Sequence, residues 1–283
     1  MKRMRELQKS LSHGRVLGRL IFALPLLIAI VLMPQTTRAG ADFDAGWQAY
    51  EEGRFAQAVQ IWTPLAEAGN LLAQFNLGVM YDQGRGTGQD SDKAKSWWEK
   101  AARQGYSRAQ HNLALIHISR FDAEQDYDKA RFWLEKAAAK GFARSQYTLG
   151  KMFMDGIGVP KDEVRAFELL LAAGRSGFVR AQYNLGKMFR DGRGTAEDSV
   201  ESVKWFRRAA DKGYAKAQEK LALRYEAGKG TDRDLVEALK WASLAANQGL
   251  EGAAELRESL EKQVTGDQAA EAERRASDFT PVD

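Results

Sequence analysis

The sequence predicts an all-α protein, a right-handed α-solenoid of helix-turn-helix repeats with a period of 36 residues, preceded by a signal peptide. Three observations lead to this fold class. Glycine recurs every 36 residues through most of the 283-residue chain, several other residue types keep the same period, and a basic N-terminal stretch leads into an apolar run. The composition, 44% hydrophobic and 28% charged, is that of a globular protein and excludes a fibrous or wholly disordered chain.

The repeat is visible as columns of one residue type spaced by 36 positions. The glycine column consists of Gly69, Gly105, Gly141, Gly177, Gly213 and Gly249. Other columns hold leucine (77, 113, 149, 185, 221), glutamine (74, 110, 146, 182, 218), aspartate (90, 126, 162, 198, 234) and tryptophan (97, 133, 205, 241, with leucine at 169). Because unrelated columns repeat in step, the period marks a structural unit.

Each unit predicts a pair of helices. In residues 70–105, Ala73 and Leu77 lie on one apolar face of a first helix. The turn 84–86 ends this helix, since its glycines tolerate positive φ, and Asp90 can cap a second helix. One hairpin cannot bury its apolar face alone, whereas stacked hairpins share a continuous core.

The repeats divide the chain into segments, and about twelve helices are expected in all. We predict a solenoid over residues 40–263 that contains a cap unit, five repeats and a closing helix. The cap unit covers 43–69, the repeats cover 70–105, 106–141, 142–177, 178–213 and 214–249, and the closing helix covers 251–263. The polar residues 264–283 favour a mobile tail, with a short helix over 269–276 as the alternative.

The N-terminus has the pattern of an export signal. Residues 1–39 hold seven of the 42 Lys/Arg and one of the 38 Asp/Glu, and the fourteen residues of 20–33 are apolar. That run is shorter than the ~20 residues that cross a membrane and fits a cleaved signal, with cleavage after Ala39 or Ala41. The expected location is therefore periplasmic or secreted; an uncleaved anchor facing the periplasm is the alternative.

The remainder of the chain excludes several classes of partner and chemistry. Residues 40–283 hold 35 bases and 37 acids, which gives no electrostatic argument for nucleic acid. The absence of cysteine excludes disulfides and thiol chemistry. No G-x-S-x-G, G-x-x-x-x-G-K-[ST] or H-E-x-x-H motif occurs, and the one S-x-x-K, at residues 259–262, lacks the partner motifs S-D-N and K-T-G and indicates a chance match. His111 and His117 stand in columns that are otherwise mainly aromatic, which indicates packing rather than metal binding. We therefore expect no catalytic residues, no metal and no cofactor.

The consensus of the repeats resembles a known family. The pattern A-x-x-x-L-G-x-M-[YF]-x-x-G-x-G, followed by D and by A-x-x-W-[WLF]-x-K-A-A-x-x-G, is most complete in residues 73–105 and 181–213. It resembles the Sel-one-like repeat (SLR) family, relatives of the tetratricopeptide repeats, over about 180 of the 283 residues.

The resemblance implies a function of a general kind. It implies an exported scaffold or adaptor that binds a protein or peptide, in bacterial envelope regulation or assembly. An envelope hydrolase or β-lactam-binding protein and a secreted host-interaction factor are the alternatives. The penicillin-binding branch of the family is rich in cysteine, which this chain lacks, so that activity is not transferred. The sequence does not indicate an oligomeric state.

The binding surface is predicted on the first helices. Positions 75 and 79 lie about 200° around the helix from Ala73 at 100° per residue, so they face away from that side of the core. The residues at these two positions in the first four repeats are expected to bind the partner: Phe75, Val79, His111, Leu115, Tyr147, Lys151, Tyr183 and Lys187. The loop aromatic Phe121 and the cation Arg190 are expected to contribute as well. Such a groove would be apolar at one end and cationic in the middle. The alternative is that the aromatics wedge between neighbouring repeats.

Overall fold

The computed structural model describes residues 35–118 and 126–282, and within these ranges every regular element is an α-helix. There are fourteen helices in the described ranges, rather than about twelve: α1 (Gln35–Glu51), α2 (Phe55–Glu67), α3 (Leu71–Gln83), α4 (Ser91–Arg103), α5 (Ser107–Ile118), α6 (Tyr127–Ala139), α7 (Ala143–Asp155), α8 (Glu163–Arg175), α9 (Val179–Asp191), α10 (Ser199–Asp211), α11 (Ala215–Ala227), α12 (Leu235–Asn247), α13 (Glu251–Glu261) and α14 (Gly266–Ser277).

The helices form a chain of hairpins, which confirms the α-solenoid. Each helix from α1 to α12 packs against the next one in sequence. The five repeats use α3, α5, α7, α9 and α11 as first helices and α4, α6, α8, α10 and α12 as second helices. Apolar residues of successive hairpins join into shared clusters, such as the one that extends from Ala114 to Trp205. The core therefore runs along the solenoid and does not lie at one centre.

The aspartate and glycine columns set the ends of the helices. Asp90, at the N-cap of α4, accepts a hydrogen bond from the backbone N–H of Lys93 at 2.9 Å, and the other four aspartates of the column cap α6, α8, α10 and α12 in the same way. At the other junction Gly84 has φ of 65°, the left-handed conformation that ends α3. The column carboxylates therefore have a structural role.

The glutamine column ties each repeat to the unit before it. Each glutamine Nε2 donates to a backbone carbonyl eight residues earlier, in the last turn of the preceding second helix, at 2.9–3.2 Å. All five side chains are buried. In the first and last repeats the Oε1 atom also accepts from a second glutamine, Gln104 onto Gln74 and Gln248 onto Gln218, both at 2.8 Å.

Inside the hairpins, a small residue on the first helix leaves room for the larger side chain that faces it from the second helix. A Cβ at Gly78 would overlap the indole of Trp98, and a Cβ at Gly186 would overlap the ring of Phe206. At Gly150 the facing residue is Leu170, and a Cβ would lie 3.1 Å from its Cγ, a tight but much less severe contact. The glycines therefore allow the helices to approach closely over a bulky aromatic ring.

The two ends of the solenoid are covered. Trp62 on α2 is fully buried and stacks with Phe43, with 5.8 Å between the ring centres, so these residues cover the N-terminal end. At the other end the tail forms helix α14, which contains the alternative short helix over 269–276 and differs from the mobile tail that the composition favoured. Helix α14 packs on α12, buries Ala272, and is followed by Phe279, whose ring lies edge-on to Trp241 at 5.4 Å. These contacts bury apolar surface that the last repeat would otherwise expose.

The size matching predicts unequal effects of one chemical change. Gly78→Ala forces a methyl group into the Trp98 indole, so we expect a loss of about 1–3 kcal/mol of unfolding free energy. Gly150→Ala is the matched control, because the helix propensity gained offsets the tight contact with Leu170, and its effect should stay within about 1 kcal/mol. Thermal and urea unfolding measure both; equal losses would contradict the size matching.

The glutamine pairs predict a stabilising substitution. The Oε1 atom of Gln146 is buried and accepts no hydrogen bond from the described residues, and Ser176 occupies the position that Gln104 holds in the first repeat. Ser176→Gln should supply the missing donor and add about 0.5–1.5 kcal/mol to the unfolding free energy. Arg175→Gln, one residue earlier and exposed, is the control. No gain over this control in urea unfolding would argue against the pairing.

Candidate functional site

The first helices of the repeats leave one side without a packing neighbour. Positions 72 and 79 of the first repeat are seven residues apart, nearly two full turns, so they lie on the same side of the helix. The equivalent positions are exposed or half-buried in every repeat. We call these residues the first-helix face: Leu72, Val79, Arg108, Leu115, Arg144, Lys151, Arg180, Lys187, Lys216 and Leu223.

The aromatic column at position 75 lies at the edge of this face and packs across the junctions. The ring of Phe75 is edge-on to that of Tyr106 in the next repeat, with 5.0 Å between the ring centres. The ring centres of Tyr147 and Phe178 are also 5.0 Å apart. Tyr183 repeats the contact with Tyr214 at 5.3 Å. These rings are half-buried, so they wedge between repeats and still present an edge outward.

His111 occupies the same column but is almost enclosed. Its side chain is 7% exposed, its Nδ1 lies 3.0 Å from the Ser145 hydroxyl, and its ring is edge-on to Phe142. Burial, together with the positive charge of Arg144, lowers the pKa of His111 to about 4. His111 therefore acts as a junction residue and offers a partner very little surface. His117 is buried as well, in agreement with the packing role expected for it.

The apolar residues predicted for the groove are accessible. Leu115 is 43% exposed and Val79 is half-buried. Leu223, which stands in the same column of the last repeat, is 37% exposed. In the position-79 column the apolar residues Val79, Leu115 and Leu223 thus flank the cations Lys151 and Lys187. The predicted site residue Phe121 lies outside the described residues.

The central cations form one electrostatic group. Lys151 pairs with Asp155 at 2.8 Å and Arg190 pairs with Asp191. The pKa of Lys187 is lowered, first by partial burial and then by the positive charges of Arg190 and Lys151. The ammonium also lies 5.6 Å from the centre of the Tyr183 ring, a cation–π distance.

A second row of cations was missed by the sequence reasoning. Position 72 and its equivalents hold Leu72, Arg108, Arg144, Arg180 and Lys216, and all five side chains are exposed. The signal was present in the sequence, since four of five repeats have a base at this position. The predicted binding surface was built from positions 75 and 79 alone, so it did not include this row of cations.

The described residues show few groups arranged for metal binding or acid–base chemistry. No group of three or more His, Asp or Glu side chains within residues 35–118 and 126–282 is arranged to hold a metal ion. The five aspartates at structural spacing are occupied as helix caps. In the part of the chain that the structure describes, no helix is long and apolar enough to span a membrane.

Comparison with known proteins agrees with the repeat architecture. The model of the Sel1 repeat family matches residues 71–106, 107–142, 143–178, 179–214 and 215–250, each one residue later than the bounds chosen from the sequence. These matches cover 180 of the 283 residues. No curated protein matches the chain.

Two solved structures are similar over most of the chain. The crystal structure of a Sel1 repeat protein from Oxalobacter formigenes is 25% identical, with a TM-score of 0.70, and the alignment covers 86% of this chain and 98% of that one. A protective antigen with an SLR fold, present in uropathogenic Escherichia coli strains, is 26% identical with a TM-score of 0.55, over 87% of this chain and 61% of that one.

The buried His111 predicts a pH-dependent stability. Its folded pKa of about 4 lies below the usual 6.5, so the unfolded chain binds the proton more tightly. This contribution to stability is complete above pH 6.5 and is lost as the pH falls from 6.5 towards 4. Between pH 8 and pH 5 the loss should be about 2 kcal/mol. His111→Gln should remove that part of the pH dependence in urea unfolding; identical pH profiles would contradict the assignment.

Proposed function

This chain belongs to the Sel1 repeat family, and from that premise we propose that it is a non-enzymatic, exported adaptor that binds a protein or peptide on its first-helix face. Sel1 repeat proteins are typically protein-interaction scaffolds and are generally not catalytic. In the proposal the first-helix face is the concave side of the solenoid, and the partner lies along it across the five repeats. A role in bacterial envelope regulation or assembly fits an exported adaptor.

The observation that carries the proposal is the contrast between fixed and variable columns. Leucine, glutamine and small-residue columns are buried and nearly constant from repeat to repeat. The position-79 column of the first-helix face changes from Leu115 through Lys151 and Lys187 to Leu223 while remaining accessible. Because folding does not require this variation, recognition of a partner is the natural account of it.

The residues of the face suit a protein partner. Aromatic and cationic groups are enriched among residues that dominate protein interfaces. Tyr183 and Lys187 lie together at the centre of the face, and Leu115 and Leu223 supply apolar contacts on either side.

Export is part of the proposal and is supported by the sequence. The basic stretch, the apolar run of residues 20–33 and the small residues Ala39 and Ala41 match a secretory signal. With cleavage there, the solenoid is periplasmic or secreted; without it, the protein is anchored and faces the periplasm. Mass spectrometry of the N-terminus of the exported protein, after cell fractionation, distinguishes these forms.

Site-specific cross-linking tests the binding face. A photoreactive amino acid at Leu115 or at Leu223, both exposed, should form a discrete adduct with a protein partner in intact cells. The matched control position is Glu168, which is exposed on the second helix α8. Adducts from Glu168 alone, or from none of the three positions, would contradict binding on the first-helix face.

A further inference from the structure

We propose that the partner segment is an extended acidic polypeptide, read in register by a ladder of four cations, one from each of four successive repeats. The cation ladder consists of Arg108, Arg144, Arg180 and Lys216. The inference rests on the proposed function, since it names the class of partner for the same face. It follows from the pairing, the placement and the spacing of these side chains.

The ladder cations are exposed and form no ion pair with any described residue. Elsewhere on the same face Lys151 pairs with Asp155, and Lys187 forms no ion pair in the described ranges but lies over the Tyr183 ring. Most surface cations of the second helices are also paired, such as Lys129 with Asp126 and Lys204 with Glu201. The ladder therefore concentrates positive charge that the fold leaves available for a ligand.

The placement of the ladder opposes helix electrostatics. Each cation is the second residue of its helix, where the positive end of the helix dipole disfavours a base. The second helices follow the favourable rule, with an acid in the first turn of every one from α4 to α12. An unfavourable placement repeated four times in equivalent positions indicates selection for something other than stability.

The overall charge favours a polypeptide over a nucleic acid. Residues 40–283 carry 35 bases and 37 acids, so the ladder is a local feature of a slightly acidic body. Nucleic-acid binding depends on a strongly basic surface. Arginine forms two parallel hydrogen bonds with a carboxylate, which suits Asp and Glu side chains at defined positions.

The spacing of the ladder sets the register of the partner. Helices that pack directly lie about 8–10 Å apart, and successive first helices both pack on the second helix between them, so equivalent side chains of successive first helices recur at roughly that distance or somewhat more. An extended chain rises about 3.3 Å per residue, so one acidic residue in three would meet each cation. In the first repeat the ladder position is Leu72, 42% exposed, which indicates an apolar residue at one end of the segment.

Synthetic peptides test the register. One fluorescent peptide has an apolar end followed by four glutamates at every third position; the other has the same composition with the glutamates in one block. The full chain should bind the spaced peptide about tenfold more tightly in fluorescence anisotropy, and added salt should weaken this binding. Equal affinity for the two peptides, or tighter binding of an anionic vesicle or single-stranded DNA, would overturn the proposal.

A matched pair of variants tests the ladder itself. Replacing the four ladder residues by glutamine should abolish the preference for the spaced peptide without lowering the melting temperature. The control replaces four exposed cations of the second helices by glutamine, with the same change of charge, and should bind as the parent does: Lys100, Lys136, Arg175 and Arg208. Equal weakening by both variants would overturn the ladder as a specific site.

Cross-linking in cells separates this inference from the proposed function. The photoreactive group at Leu115 is placed in the parent and in the four-glutamine ladder variant. Loss of the adduct in the variant supports the ladder. An adduct of equal yield in the variant overturns the ladder and leaves the adaptor proposal standing, whereas no adduct in either protein overturns both.

Discussion

The fold depends on one buried hydrogen bond that is made five times. Each column glutamine donates from its side-chain amide to the main-chain carbonyl of the preceding second helix, eight residues before it. The same carbonyl also accepts a hydrogen bond from the backbone N–H of the column glycine three residues later, so each of the five carbonyls has two donors at the helix end. The glutamine bond also links each first helix to the end of the second helix that precedes it. A solenoid has no single centre, so its long-range order is the sum of such local junctions.

Most of this architecture could be predicted from the sequence, because the repeats of this one chain can be aligned with one another. The glycine and aspartate columns gave the helix ends directly, and α13 closes the repeats where the closing helix was expected. The helix in the tail was expected only as an alternative, for a physical reason. Residues 264–283 lack a clear apolar stripe, and α14 is held by contacts that depend on tertiary structure, such as Phe279 on Trp241 and Arg275 on Glu237 at 2.9 Å.

The candidate site was less predictable than the fold. Periodicity identifies the exposed side of a helix, but it does not show how far a side chain leans across a junction. Phe75 and His111 were placed on the correct side of the helix, yet one is half-buried against Tyr106 and the other almost enclosed beside Ser145. The predicted binding surface was also too narrow, because it omitted position 72, which lies two turns before position 79 on the same side of the helix.

The contacts inside a hairpin and the glutamine bond between hairpins differ in the residues that they require, and this difference affects how the number of repeats can change. The fit of Gly78 to Trp98 and of Gly186 to Phe206 lies wholly inside one hairpin, so a helix cannot be exchanged alone without a clash. The glutamine bond between hairpins ends on a main-chain carbonyl, which every residue type provides. Duplication or deletion of the corresponding coding segment can therefore add or remove a whole 36-residue hairpin where the ring contacts across the new junction, such as Phe75 with Tyr106, also fit, and the first-helix face lengthens or shortens with it.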